Sequence, residues 1–400
     1  MLLPPLALIL AASPLTFEDA LRLASDAPAV AAARGAVAER RRLGDSVSSL
    51  TANPQLGVQP GVRKHAAGVG PDIYLSLTQS LNLAGFGGAR KEALARELEH
   101  DETQGTSLLH GLRLRAARAW LALWAAQTSW SEAKLELELA TDWAKRVERA
   151  SVAGGLTKAD AAAARGWQAE AALAVLAAHG EIFSSGVMLS GVLGVDTREP
   201  SLAAAALPEL ALPDAAVLEQ SLARADRAPA VRLLANARDA EQAHLTEVKA
   251  ANGTWLQVGV QAGREGAGDL VGVGVLQLTI PAFDRAERDQ ARFRALAVRA
   301  EGDRLDALAR ARAERVDVIH EVEHTREVLD LVEGALLPAA EDAARFAQKR
   351  MEGGEGTAFE WVMARRTVLM AKSRKVRAQA DHTMSRFAAA ELAAATGESP

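Results

Sequence analysis

The chain has 400 residues, enough for one large core or two ordinary domains. Aromatic residues make up only 4%, while alanine, leucine, arginine and glutamate are abundant, which favours long helices packed through small side chains. The formal net charge of -5 comes from 46 basic and 51 acidic residues mixed along the chain, which argues against a nucleic-acid partner. The lack of cysteine excludes disulfides, thiol catalysis, thiolate metal sites and a lipid-modified N-terminal cysteine.

An apolar run opens the chain. Residues 1–12 are followed by Ser13 and Pro14, a pattern that resembles the apolar core and small-residue end of a secretory signal peptide, although no lysine or arginine precedes it. We therefore expect residues 1–14 to be a signal-like leader of an exported protein. After this leader, no run approaches the roughly 20 apolar residues that a membrane-spanning helix needs.

The chain matches itself at an offset of about 200 residues. Three collinear matches argue for tandem duplication, with a first repeat over residues 15–200 and a second over residues 201–396. The matching segments are Pro28-Ala29-Val30 with Pro229-Ala230-Val231, Gly57-Val58-Gln59-Pro60-Gly61 with Gly259-Val260-Gln261-Ala262-Gly263, and the stretch from Gly154 to Arg165 with that from Gly354 to Arg365.

Each repeat is predicted to contain a helix, two strands, a very long helix, a tight turn and a returning helix. The first helix begins at a Thr16 cap and runs to about Leu50, before Asn53-Pro54. A very long helix follows Gly88, and at about 1.5 Å per residue it extends close to 100 Å. This helix is predicted to run to about Val152. The remaining predicted helices run from about Thr157 to Leu193, from Asp284 toward Met351 with a bend or joint at Pro338, and from about Thr357 to Thr396.

The four predicted strands cover residues 55–63, 73–83, 255–263 and 270–280. In the second strand, Ile73, Leu75 and Leu77 alternate with the polar residues Tyr74 and Ser76, so one face is apolar and the other is polar. Strands of about 9–11 residues are long enough to cross a bilayer when tilted. Two hairpins in a soluble sheet are the alternative interpretation.

Several segments together resemble the TolC-like family of outer-membrane factors over about residues 15–396. They are Leu15-Thr16-Phe17-Glu18-Asp19-Ala20-Leu21 with Pro28-Ala29-Val30, both Gly-x-x-Thr turns, Gly191-Val192-Leu193-Gly194-Val195, and the repeat itself. The stretch from Gln79 to Arg90 resembles the strand-to-helix joint of the family, in particular of its heavy-metal cation efflux branch. Pro281-Ala282-Phe283-Asp284 is similar to the Pro-x-Phe-Asp form of the second joint.

The resemblance implies a mainly α fold with a small β part. Long antiparallel helices would form a periplasmic α-barrel, and two hairpins per chain would contribute to a trimeric 12-stranded transmembrane β-barrel. Since lipid does not tolerate open strand edges, two hairpins must be closed by other copies of the chain. The family is a passive conduit of the outer membrane that extends into the periplasm, without cofactor or enzymatic activity. Its homotrimer exports small molecules or metal cations that an inner-membrane pump supplies through a periplasmic adaptor protein.

The resemblance also places the two Gly-x-x-Thr turns at a periplasmic tip that meets the adaptor. A ring of three Glu360 carboxylates would narrow the tunnel and favour cations. Met363 stands where some family members carry a second acid, which argues against a double acidic ring. Simple helix capping is the alternative role for the same residues. The predicted tip residues are Gly154, Thr157, Asp160, Arg165, Gly354, Thr357, Glu360 and Arg365.

One motif favours an enzyme instead. The residues from His320 through Glu321 to His324 fit the zinc-peptidase pattern His-Glu-x-x-His. The metzincin continuation fails, because Glu327 and Asp330 stand where its glycine and third histidine would be. A peptidase would then need a downstream ligand such as Glu341. We expect no metal site, with His320 and His324 as weak candidates.

Two further interpretations remain open. The outer channel of type I protein secretion uses a similar conduit. A soluble periplasmic coiled-coil scaffold would account for the long helices but not for the alternating strands.

Overall fold

The computed structural model describes residues 14–48, 52–65, 68–195, 204–265 and 268–395. Apart from Pro14, the predicted leader lies outside the described residues. The described segments are mainly helical and include a four-stranded antiparallel sheet, as the predicted fold class requires.

Both sequence repeats follow the same order of elements. In the first repeat the elements are α1 (Phe17–Ser25), α2 (Pro28–Ser46), β1 (Gln55–His65), β2 (Gly68–Asn82), α3 (Phe86–Val152) and α4 (Lys158–Leu193). In the second repeat they are α5 (Ala215–Ala223), a 3₁₀ turn (Ala225–Arg227), α6 (Pro229–Ala251), β3 (Trp255–Arg264), β4 (Leu270–Thr279), α7 (Glu287–Leu331), a π-helical turn (Val332–Leu336), α8 (Leu337–Glu352) and α9 (Ala358–Ala395).

The first predicted helix is wrong in one respect, because the structure has two helices where the sequence predicts one. Thr16 caps it as expected, since its Oγ1 accepts a hydrogen bond from the Asp19 amide at 3.0 Å. The helix ends at Ser25, however, and a second helix begins at Pro28. Proline disfavours helical geometry in the residue before it and is well suited to the first position of a new helix. The second helix ends at Ser46, short of the predicted Leu50.

A π-helical turn lies immediately before Pro338. The Leu337 amide donates to the carbonyl of Val332, five residues earlier, so the α-helical hydrogen-bond ladder is interrupted here. Proline has no amide hydrogen and its ring crowds the preceding turn, and one wider turn accommodates both effects. The joint predicted at this proline is therefore present.

The sheet has the strand order β1-β2-β3-β4, and every neighbouring pair is antiparallel. The central β2–β3 pairing joins the hairpins of the two repeats, and β1 and β4 are the outer strands. β2 begins at Gly68, five residues before the predicted start, because residues 68–72 pair with residues 61–65 of β1. A Gly-containing turn is predicted between the two strands, but the hydrogen-bonded ladder continues through Gly68 and Gly70.

The contacts divide the described chain into two compact units. The helical unit takes the described residues of Met1–Ala31, Leu108–Ala228 and Arg310–Pro400, and the sheet unit takes those of Ala32–Ser107 and Pro229–Ala309. Each unit contains segments of both sequence repeats. In the sheet unit, polar bridges join neighbouring helices: Arg40 donates to Glu97 and, at 2.9 Å, to Asp101, while His244 Nε2 lies 2.8 Å from Glu97.

An aromatic cluster forms the core of the helical unit. The ring of Phe17 packs edge-to-face against Trp120 and Phe387, with centroid distances of 5.4 and 5.2 Å. All three side chains are buried. Trp120 Nε1 also donates to the Leu15 carbonyl at 2.9 Å, which satisfies the indole N–H inside the core. The Thr16-capped helix α1 is thereby fixed to α3 and α9.

Helix α4 departs from the expectation of no apolar span. Among the described residues it is the one helix long and apolar enough, by composition, to cross a membrane, with a mean hydropathy of 1.5 over its most apolar window. Alanine, valine and leucine raise the hydropathy although His179 and Glu181 interrupt the run. Only 22% of that window is buried within the chain, which leaves much of its apolar surface uncovered.

We predict that Phe17→Ala lowers the stability of the folded chain by about 3–5 kcal/mol, because it opens a cavity and removes two aromatic contacts. The midpoint of denaturant unfolding of the detergent-solubilised protein measures this. Phe359→Ala is the matched control, since Phe359 is exposed, and it should shift the midpoint much less. Equal shifts for the two variants would contradict the assignment of this core.

Candidate functional site

The two predicted tip turns are built in the same way. In the first tip turn (residues 150–160), Gly154 adopts a left-handed conformation with φ of 81°, and in the second (residues 350–360), Gly354 does so with φ of 78°. The amides of Gly155 and Glu355 each bond the carbonyl five residues earlier, at 2.9 Å in both turns. This is the Schellman pattern, which ends a helix and favours glycine at the left-handed position.

A threonine caps the returning helix in both turns, but the two acidic residues behave differently. Asp160 Oδ2 accepts hydrogen bonds from the amide and the hydroxyl of Thr157, at 3.1 and 2.6 Å, which completes a capping box. In the second turn, the Glu360 amide donates to Thr357 Oγ1 at 3.1 Å. The Glu360 carboxylate instead lies 3.6 Å from Arg350, and the Glu360 side chain is about half exposed, at 48%. Asp160 therefore has a capping role, whereas the carboxylate of Glu360 takes part in an exposed ion pair with Arg350.

The two predicted tip arginines also differ in their surroundings. Arg165 pairs with Glu148 at 2.9 Å, and both side chains are more than half exposed. Arg365 pairs with Glu136 of α3 at 2.5 Å, and here the side chains are only 21% and 6% exposed. A repeat-related arginine thus forms a surface ion pair in one half and a largely buried one, joining α9 to α3, in the other.

The buried pair lies in the helical unit together with a tryptophan cluster that sequence reasoning missed. Trp361 contacts Trp143 and Trp167, with ring centroids at 4.3 and 5.0 Å, so that α3, α4 and α9 meet at one point. Lys372 of α9 adds a half-buried ion pair with Glu132, and Arg366 of α9 adds an exposed ion pair with Glu170. The composition contained a signal for this cluster: seven tryptophans are many for a chain with so few aromatic residues, and they could have been considered together as candidate core residues.

The sheet unit carries the second candidate feature, its two unlike faces. The apolar face is exposed to a large extent, and the opposite face is polar along β1, β2 and β3, with valines from β4. On the polar face Gln261 donates to Gln59 and Gln257 donates to Thr78, at 3.1 and 2.9 Å. The exposed residues of the apolar face include Leu56, Val58, Ile73, Leu75, Leu77, Val260, Leu270, Leu276 and Leu278.

The His-Glu-x-x-His motif lies on α7, and its two imidazole rings stack with centroids 5.7 Å apart. Both histidines are exposed. Asp381 of α9 lines the same cleft as Glu321 and His324, and burial, opposed by Arg377 and reinforced by Glu321, raises the pKa of its carboxyl. Within the described residues, no group of three histidine or acidic side chains is placed to hold a metal. In this part of the chain, therefore, no third ligand of the kind that a zinc peptidase requires joins the two histidines.

No protein-family model and no curated protein sequence matches the chain. Solved structures do match it. CusC, whose crystal structures concern transmembrane channel formation, is 15% identical over 100% of this chain and 95% of its own, with a TM-score of 0.74. The outer membrane protein VceC from Vibrio cholerae is 16% identical over 95% of this chain and 96% of its own, with a TM-score of 0.69.

A third match is the CmeC outer membrane channel of Campylobacter jejuni. It is 14% identical over 95% of this chain and 86% of its own, with a TM-score of 0.72. At such low identities the likeness concerns the fold, and it extends over nearly the whole length of each chain. The protein therefore has the TolC-like fold of these outer-membrane channels.

We predict that Glu136→Ala destabilises the protein by about 3–5 kcal/mol, because it leaves the Arg365 guanidinium largely buried without its carboxylate. Glu148→Ala removes the repeat-related but exposed pair and should cost about 0.2–1 kcal/mol. Denaturant midpoints of the two variants, measured in the same detergent, give the comparison. Similar costs for both would refute the distinction between a buried and a surface pair.

Proposed function

We propose that the protein is the outer-membrane channel of a tripartite efflux system. It works as a passive homotrimeric conduit, with its sheet in the outer membrane and its long helices in the periplasm, and it carries out no chemistry. Small molecules or metal cations reach it from an inner-membrane pump through a periplasmic adaptor. The resemblance of the segment from Gln79 to Arg90 favours the heavy-metal branch.

One observation carries this proposal: the described residues form a four-stranded sheet with an exposed apolar face and two open edges, β1 and β4. In water, a single sheet of this kind would expose a broad apolar surface to solvent. In lipid, the backbone amides and carbonyls at its two edges would have no hydrogen-bond partners. Closure of three such sheets into one cylinder satisfies both conditions, with apolar side chains toward lipid and polar side chains toward the pore.

The exposed apolar side chains of α4 support the same assembly. Leu173, Leu176 and Phe183 recur at roughly helical spacing on a helix that is mostly uncovered within the chain. In a trimer, helices of a neighbouring copy would cover such a stripe. The two tip turns would then lie at the periplasmic end, where Gly154, Thr157, Gly354 and Thr357 shape the surface offered to an adaptor.

We predict that Leu75→Arg sharply reduces the amount of protein in the outer-membrane fraction, whereas Ser76→Arg on the opposite face is tolerated. Leu75 would face lipid, where an arginine near the bilayer midplane costs about 2–4 kcal/mol, and Ser76 would face the pore. Immunoblots of sucrose-gradient membrane fractions measure the difference.

If the protein were a soluble scaffold, both variants should be tolerated, because the Leu75 side chain is already 54% exposed to solvent in the chain. Normal recovery of both variants, with the protein in the soluble periplasmic fraction, would contradict the channel.

We further predict that Glu360→Gln reduces the preference of the pore for cations, because it removes three carboxylates from the narrow end. Reversal potentials in a planar bilayer under a potassium chloride gradient measure the preference. Asp160→Asn is the matched control: it weakens a capping box, at a cost of about 1 kcal/mol, and should leave the reversal potential unchanged. A reversal potential that Glu360→Gln does not alter would rule out the acidic constriction.

A further inference from the structure

The polar face of the sheet contains the sole tyrosine of the chain, Tyr74. It lies on β2, between Gln59 of β1 and Gly263 of β3, its two directly opposed cross-strand partners. Side chains of such partners project from the same face of a sheet. Tyr74 is thus flanked on one side by a residue without a side chain.

The ring of Tyr74 occupies the space above Gly263. A Cβ atom built on Gly263 would lie 2.2 Å from Tyr74 Cδ1 and 2.8 Å from Cε1, closer than real contacts allow. The ring therefore lies across the neighbouring strand and does not stand away from the sheet. Glycine is required here by this close approach.

Hydrogen bonds hold the phenol end of the ring. The Tyr74 hydroxyl donates to Glu265 at 2.9 Å and accepts from Arg63 at 3.1 Å. Arg63 also pairs with Glu265 at 2.7 Å and with Asp72 at 3.1 Å. The network joins β1, β2 and the residue that follows β3. Both hairpins therefore help to hold the Tyr74 ring against the sheet.

We propose that Tyr74 and Gly263 set the clearance of the pore at this level of the sheet. The inference rests on the proposed function, in which the polar face lines the lumen and three copies place three rings at one height. With Gly263 present, each ring lies along the wall and leaves the lumen open. With a side chain at that position, each ring must turn inward and narrow the passage.

The chain supplies a matched control in Gly259, four residues earlier on the same strand and face. A Cβ on Gly259 would approach the backbone oxygen of Leu77 to 2.4 Å, much as one on Gly263 would approach that of Ile73 to 2.7 Å. Its side-chain neighbour is Thr78, not an aromatic ring. The two alanine variants therefore impose a similar backbone strain, and only Gly263→Ala displaces a tyrosine.

The test uses a thiol placed deeper in the pore. Because the chain has no cysteine, Gln257→Cys creates a unique thiol on the polar face, about 20 Å from Tyr74 along the strands at about 3.3 Å per residue. Intact cells are treated from outside with a maleimide bearing a short polyethylene glycol, or with a small maleimide of similar reactivity. The labelling rate of the introduced thiol is measured in the Gln257→Cys protein, which is the otherwise unchanged chain. It is then compared with the rates after Gly263→Ala, Gly259→Ala or Gly263→Ala/Tyr74→Ala is added.

We expect Gly263→Ala to slow the bulky reagent by roughly threefold or more while the small reagent is unaffected. Gly259→Ala should leave both rates unchanged, and the double variant should restore the rate of the bulky reagent. Equal slowing by the two alanine variants, slowing of both reagents, or no restoration would overturn the inference. A thiol that neither reagent reaches in the otherwise unchanged chain would contradict the proposed channel itself.

Discussion

The unpaired backbone of the two outer strands is the constraint on which the proposed assembly depends. Among the residues that the structure describes, β2 and β3 are paired on both sides, whereas β1 and β4 each have one open edge. In hydrocarbon, every unpaired amide or carbonyl on such an edge costs several kcal/mol, and no side chain can replace a whole ladder of hydrogen bonds. The exposed apolar face is also unfavourable in water. In the proposed assembly, closure by further copies resolves both problems, and neighbouring copies would also cover the exposed apolar stripe of α4.

The two predicted repeats have the same order of elements, but equivalent residues in them have different surroundings. Asp160 completes a capping box, while the equivalent Glu360 leaves its carboxylate exposed. Arg165 forms a surface ion pair, and Arg365 a largely buried one with Glu136. The second predicted tip turn therefore combines an exposed ion pair between Glu360 and Arg350 with the largely buried interhelical pair of Arg365 and Glu136. In the proposed channel, we therefore expect Glu360, and not Asp160, to act on what passes through the tip.

Local signals predicted much of this fold because the features concerned are local. Alternation along β2, left-handed glycines followed by capping threonines, and the proline that interrupts the second long helix each act within a few residues. Features that depend on distant partners were missed or misplaced. The start of β2 is set by its register with β1, and the ion pair of Arg365 with Glu136 joins residues 229 positions apart. The placement of Tyr74 over Gly263 likewise needs both hairpins, so periodicity alone could not indicate it.

The mass of the particle extracted from the outer membrane tests the central claim most directly. Size-exclusion chromatography with light scattering, corrected for bound detergent, reports how many chains of about 42.2 kDa, less any cleaved leader, associate. Closure of the open strand edges by sister copies predicts three. A single chain that remains folded and soluble without detergent would contradict the account, because its sheet would then be stable with both edges open.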